Sequence, residues 1–152
     1  MSPAPVRCVV DASVGIKLYI AEPLSERTDA LFRQLATDPA AELVVPDLFY
    51  IECANILWKH VRRTGLPAAR ARQAVAELAK LGLRRVSTLE LIAEALDIAL
   101  SQSITAYDAC YVALAHRLGM PFVTADERLA RLLAGTPYRV HWLNDFPLPP
   151  PP

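Results

Sequence analysis

The sequence predicts an α/β fold, a three-layer α/β/α sandwich around a mainly parallel central sheet. Short β-branched runs, beginning with VRCVV at 6–10 and AELVV at 41–45, alternate with longer stretches whose apolar residues recur at helical spacing. Segments that alternate in this way bury a parallel sheet between layers of helices. The length of 152 residues suits about one domain, able to bury roughly two thirds of its unfolded surface. That domain is expected over 1–146, with a proline-rich tail, PLPPPP, at 147–152.

Each element has its own local reason. VRCVV is apolar and stops at Asp11, as a buried strand ending in a carboxylate would. SERTDALFRQLA, 25–36, is an amphipathic helix for which Ser25 is the expected cap, and AELVV is a second strand closed by Pro46. From Asp47 to Arg63, Phe49, Cys53, Ile56, Leu57 and Val61 recur with a helical period that Gly65 and Pro67 end. LPAARARQAVAELAKL, running to Lys80, is rich in strong helix formers. A third strand, LRRVS at 83–87, leads to a helix from Thr88 to about Leu100. A buried helix over 105–119 ends at Gly119, PFVT at 121–124 is a further strand, Asp126 caps the short helix ERLARLLA, and YRVHWL at 138–143 is the last strand. The tail can continue neither element type and is expected to be extended polyproline, with no catalytic part.

Composition narrows the classes of function. Sixteen basic residues balance sixteen acidic ones, which disfavours nucleic-acid binding through overall positive charge but leaves room for a local basic patch. Arginine outnumbers lysine thirteen to three, and a guanidinium suits the bidentate geometry of phosphate oxygens. Cys8, Cys53 and Cys110 are odd in number and flanked by apolar residues, so they read as reduced core thiols of a soluble cytoplasmic protein. No apolar run approaches the roughly 20 residues of a membrane helix, and no leader-like segment opens the chain.

Four carboxylates stand out. Asp11 and Asp126 sit just beyond predicted strand ends, on the rim where open parallel sheets bind ligands; each can equally be the N-cap of the following helix. Glu52 lies between Ile51 and Cys53 with Asn55 on the same helical face, and is either part of a polar spot or simply solvent-facing. Asp108 enters the otherwise apolar TAYDACYVALA, 105–115, where Thr105 and Asp108 also make an acidic version of the capping box. Four such groups in one crevice would repel one another and raise some of their pKa values. A divalent cation relieves that repulsion, and all-oxygen ligation suits Mg²⁺ or Mn²⁺. His60, His116 and His141 show no zinc-ligand spacing.

Together, VVDAS at 9–13, PDLFYIECANIL at 46–57, TAYDACYVALAHRLG at 105–119 and FVTADERL at 122–129 resemble the PIN-domain nucleases, most closely the VapC-type toxins of toxin–antitoxin pairs. The similarity runs from about Val6 to Leu143, with the four segments in the family's order. It implies an acidic pocket for one or two Mg²⁺ or Mn²⁺ ions in which Asp11, Glu52, Asp108 and Asp126 match the metal-binding acidic set. Thr124 matches the family's hydroxyl residue before the last aspartate, while Ser13 and Asn55 match supporting polar positions. It further implies endonucleolytic cleavage of RNA, a cognate antitoxin that can place a basic residue in the pocket, and a homodimer.

The residues themselves are compatible with metal-assisted phosphodiester hydrolysis, for which no side-chain nucleophile is needed. No P-loop, nucleophile elbow or serine or cysteine triad competes with it. Lys59, His60, Arg62, Arg63, Arg70, Arg72, Arg84 and Arg85 are candidate phosphate contacts or a solvated face. Tyr107, beside an apolar stripe, is read as core ahead of a base-stacking role, and Trp58 and Trp142 as core or interface. Exposed apolar surface on the helices between Leu24 and Leu83 is available for both protein contacts. A phosphatase of the haloacid dehalogenase type would need a second aspartate where this chain has Ser13. A catalytically silent module of the same fold, used only for protein binding, is the alternative from another class.

Overall fold

A computed structural model describes residues 3–150, so the end of the proline tail at 151–152 lies outside the described residues. The strands are β1 (Arg7–Val10), β2 (Glu42–Pro46), β3 (Arg84–Val86), β4 (Phe122–Thr124) and β5 (Val140–Trp142). The helices are α1 (Ala12–Gly15), α2 (Ser25–Thr37), α3 (Leu48–Arg63), α4 (Ala68–Leu78), α5 (Thr88–Gln102), α6 (Ala106–Leu118) and α7 (Glu127–Leu132), with a 3₁₀ turn at Ile16–Leu18. The five strands form one sheet in the order β3-β2-β1-β4-β5, and every neighbouring pair is parallel.

β1 is central because it is apolar on both faces. Cys8, Val9 and Val10 are fully buried, with Val9 opposite Val44 on one side and Phe122 on the other. Burying each such side chain contributes roughly 1.5–3 kcal/mol. The chain steps from β1 to β2 to β3 in one direction and then returns past β1 to β4 and β5. Right-handed crossovers therefore put α1–α4 on one face of the sheet and α5–α7 on the other. α6 crosses β1, β2 and β4, while α5 covers its outer side. Buried from Ala109 to Ala115, α6 shows no polar stripe because it is covered on both sides.

The order reverses between β1 and β4, which opens a crevice beyond their carboxyl ends. The β1–α1 and β4–α7 loops lie on that rim, and so do the amino ends of α3 and α6, whose helices run back against the strand direction. Asp11, Glu52, Asp108 and Asp126 thus arrive at one end of the sheet by topology alone.

Several expectations need correction. Ser25 does not cap α2: Leu24 holds the cap position with a positive φ of 72°, and Ser25 Oγ instead accepts from the Glu22 amide and donates to the Ile20 carbonyl. The turn before the helix has taken the hydroxyl. Pro46 belongs to β2, in register with Val86, as its last residue. α1 and the 3₁₀ turn carried no periodic signal because they are too short to show one. Tyr107 is not core but 66% exposed, since it lies on the outward side of the first turn of α6. For Trp58 and Trp142, expected in core or interface, the exposure of Trp58 on α3, 57%, leaves only the second, while Trp142 is half-buried on β5.

Cys8, Cys53 and Cys110 are buried and free, as expected. Among the described residues no helix is long and apolar enough to cross a membrane.

Candidate functional site

Asp11 is the hub. It is 6% exposed, one of three buried polar residues among the described residues, with Thr28 and Thr124. Its Oδ1 accepts from Ser13 Oγ at 2.5 Å and the Val14 amide at 3.2 Å, and its Oδ2 accepts from Thr124 Oγ1 at 2.6 Å. The same hydroxyls also accept: Ser13 Oγ takes the Ala125 amide at 3.0 Å and Thr124 Oγ1 takes the Asp126 amide at 3.1 Å. Two hydroxyls therefore tie the loop after β1 to the loop after β4, and fix the carboxylate at the join. Gly15 brings α1 against α3, for a Cβ there would lie 2.6 Å from Phe49 Cζ.

The capping and pocket readings coexist in one set of residues. Asp11 caps α1 and Asp126 caps α7 through the Leu129 amide at 3.1 Å. Thr105 caps α6 by accepting from the Asp108 amide at 3.1 Å. That bond uses the Asp108 backbone, so the cap does not require the carboxylate.

Glu52, a little over one turn into α3, is half-buried rather than solvent-facing. Its Oε1 accepts a 2.5 Å hydrogen bond from the hydroxyl of Tyr111 on α6. Tyr111 is 1% exposed and its ring stacks on Phe122, centroids 5.6 Å apart. The sequence held one signal for this pair: a buried tyrosine hydroxyl must find a partner, and an apolar helix offers none.

Burial, more than mutual repulsion, sets the electrostatics. It pushes the Asp11 carboxyl up to about 6 against the hydrogen bonds that favour its anion, and the charge of Asp108 adds to the rise. Glu52 is raised by burial and then by Asp108, with the Tyr111 bond opposing. Asp108 is raised by burial and then by Asp126, with Thr105 opposing. The thiol of Cys53 is raised by burial and then by both Asp11 and Glu52. These shifts put Asp108 within electrostatic reach of Asp11 and of Glu52, and Asp126 within reach of Asp108. Among the described residues none of the four is ion-paired with Lys or Arg.

The donor set fits a hard divalent cation, being all oxygen, anionic and uncompensated by the chain. Among the described residues no three His, Cys, Asp or Glu side chains already close around a single point. Mg²⁺ characteristically keeps several waters and takes only one or two carboxylates, so the arrangement is compatible with such an ion.

Other predicted residues fall farther away. Asn55 is exposed one turn beyond Glu52 and makes no hydrogen bond to the acidic group. Lys59, His60, Arg62 and Arg63 follow on α3, roughly 10–16 Å from Glu52 along the helix axis. Arg84 is drawn to the opposite rim, where it pairs with Glu42 at 2.9 Å. Arg70, Arg72 and Arg85 are exposed.

With this geometry in place, the chain can be set beside known proteins. The sequence profile of the PIN domain matches residues 8–133. Ribonuclease VapC3 of Pyrobaculum aerophilum is 39% identical over 127 residues, covering 82% of this chain and 93% of that protein. The crystal structure of PAE2754 from Pyrobaculum aerophilum superposes with a TM-score of 0.68 at 23% identity, covering 91% of this chain and 85% of that one. A toxin–antitoxin complex from Klebsiella pneumoniae contains a chain of similar fold, TM-score 0.57 at 16% identity, covering 88% of this chain and 95% of that chain.

Proposed function

Because this chain belongs to the PIN-domain family, we propose that it is a divalent-metal-dependent endoribonuclease and the toxin of a toxin–antitoxin pair. The metal dependence is supported by four acidic residues placed by topology at one rim of the sheet, none of them ion-paired with Lys or Arg among the described residues. We assign Asp11, Glu52, Asp108 and Asp126 as the metal-binding and catalytic set, and Thr124 and Ser13 as the hydroxyls that hold Asp11. Asn55 is assigned a supporting role from resemblance alone.

One or two Mg²⁺ or Mn²⁺ ions bound there would supply Lewis acidity toward the phosphodiester and a water of lowered pKa. The protein's own part is to present charge in a fixed place. Ser13 and the Val14 amide fix Oδ1 of Asp11 and Thr124 fixes Oδ2, which keeps a further lone pair. The exposed ring of Tyr107, next to Asp108, is available to stack on an RNA base. The arginines and lysine at the end of α3 are placed for backbone phosphates farther along the strand.

Two apolar surfaces suit the proposed partners. A groove of about 380 Å³ between α3 and α4, lined by Ala54, Leu57, Trp58, Val61, Ala71 and Val75, is assigned to an apolar helix of the antitoxin. An antitoxin as partner, though not this groove in particular, is supported by the toxin–antitoxin neighbour of similar fold. Leu89, Ile92, Leu96 and Leu100 form an exposed stripe along α5, assigned to the second copy of a homodimer. We place the protein in the cytoplasm and the nuclease domain at 1–146, leaving the tail without a catalytic part.

The deciding experiment incubates purified protein with total RNA, with and without Mn²⁺, and maps new 5′ ends. Discrete cuts that require Mn²⁺ are expected. Their absence, together with an Mn²⁺-insensitive melting temperature, would indicate a protein-binding module instead.

A further inference from the structure

From the buried side of α6, Tyr111 donates its hydroxyl to Glu52, and none of the metal-binding assignments uses it. Three features separate it from an ordinary core tyrosine. Its ring is fixed by burial and by a near-parallel stack on Phe122 of β4, with an interplanar angle of 8°. Its hydroxyl crosses between helices, from α6 to α3, to meet Glu52 Oε1 at 2.5 Å. Oε2 of Glu52 has no hydrogen-bond partner among the described residues. The chain therefore occupies one oxygen of Glu52 and leaves the other for something else.

Glu52 needs such help more than Asp11 does. Asp11 sits on a four-residue backbone segment that supplies its own amide and hydroxyl donors, whereas Glu52 has a long, half-buried side chain on α3 next to Ile51, which is 70% exposed. A glutamate left free would sample several rotamers, and holding it in one costs entropy when a ligand binds. A phenol from a rigid, stacked ring meets that cost during folding. It is also a neutral donor, so it orients the anion without cancelling the charge.

We propose that Tyr111 is a positioning residue for Glu52: by holding Oε1 from α6 it presets Oε2 toward the divalent cation, and it sets metal affinity without touching RNA or metal itself. This rests on the nuclease reading above. Outer partners of metal ligands typically change affinity by 10–100-fold when removed.

The test uses Tyr111→Phe, which keeps the ring and its stack on Phe122 and deletes only the donor, and Tyr111→Leu, which deletes both. Melting temperature is followed as Mn²⁺ is titrated, and cleavage of an RNA cut by the wild type is measured alongside. For Tyr111→Phe the Mn²⁺ concentration at half-maximal stabilisation is expected to rise about tenfold, with kcat at fixed Mn²⁺ reduced and KM for RNA unchanged. In a Glu52→Gln background, Tyr111→Phe should then add little, because the two residues act as one unit. If Tyr111→Phe responds to Mn²⁺ as the wild type does while only Tyr111→Leu is impaired, the ring alone matters and the proposal falls. A wild type with no Mn²⁺-linked stabilisation would instead remove the nuclease reading, and this inference with it.

Discussion

The two ends of one sheet treat carboxylates in opposite ways. At the amino-terminal rim Glu42 of β2 is gripped by Arg7 at 2.8 Å and Arg84 at 2.9 Å, and these hydrogen bonds hold its pKa below the usual glutamate value. At the carboxyl-terminal rim Asp11 is held by two hydroxyls and an amide, none of them cationic, and burial drives its pKa up to about 6. With thirteen arginines in the chain, cations are not scarce. One rim neutralises its charge within the protein; the other is geometrically fixed and electrostatically unfinished, which is the condition for binding a cation from outside.

The strongest way to break this contrast is Asp108→Asn. We expect RNA cleavage to fall by about a thousandfold or more, since several kcal/mol of metal-derived transition-state stabilisation is at stake. Metal-free protein should be as stable as the wild type or more so, because the cap of α6 uses the Asp108 amide and not its carboxylate. A loss of about 1 kcal/mol or more in denaturant unfolding would mean the side chain serves the helix instead.

Thr124→Val should act next most strongly. It leaves Asp11 Oδ2 and the Asp126 amide without their partner, so a loss of about 1–3 kcal/mol in stability is expected, with activity down by about 10–100-fold. Paired unfolding and cleavage assays check both.

The rims should also differ in the sign of their pH response. Asp11 has a folded pKa of about 6 against 3.8 for the free group, so the native state holds its proton more tightly. Metal-free protein therefore loses stability as pH rises from about 4 to about 6, by about 3 kcal/mol at most, and Asp11→Asn removes that decline. Glu42 has a lowered folded pKa, so its contribution is present above the ordinary glutamate pKa and fades as pH falls through the lowered value. Melts of metal-free wild type and Asp11→Asn across this range resolve the first, and Glu42→Gln the second.

Gly15→Ala probes the scaffold under the site. The added methyl would meet the Phe49 ring at 2.6–2.8 Å, so about 1–3 kcal/mol of destabilisation is expected in denaturant unfolding. The smallest effect belongs to Glu42→Gln at neutral pH, a loss of about 1 kcal/mol or less with cleavage unchanged, because its partners Arg7 and Arg84 are half-exposed.

Much of this architecture was legible in the chain because period and punctuation agreed. VRCVV, the Phe49–Cys53–Leu57 stripe and the Gly119 stop each became the element they suggested. The position of Asp11, Glu52, Asp108 and Asp126 at one rim of the sheet followed from strand-end positions and helix starts. What stayed hidden depended on side-chain direction. Ser25 is a good cap by type but was taken by the Ile20–Glu22 turn, and Tyr107 faces outward although the helix is buried from Ala109 to Ala115. The link from Tyr111 to Glu52 spans 59 positions and two helices, and no local pattern reports on it. The dominance of burial over repulsion at Asp11 likewise depends on how completely the loops close over it.

Calorimetric titration with Mn²⁺ at neutral pH, on the wild type, Asp108→Asn and Glu42→Gln, tests the contrast between the rims most directly. Saturable binding in the wild type and in Glu42→Gln, lost in Asp108→Asn, is the result these structural features predict. Equal binding by all three, or none by the wild type, would contradict them.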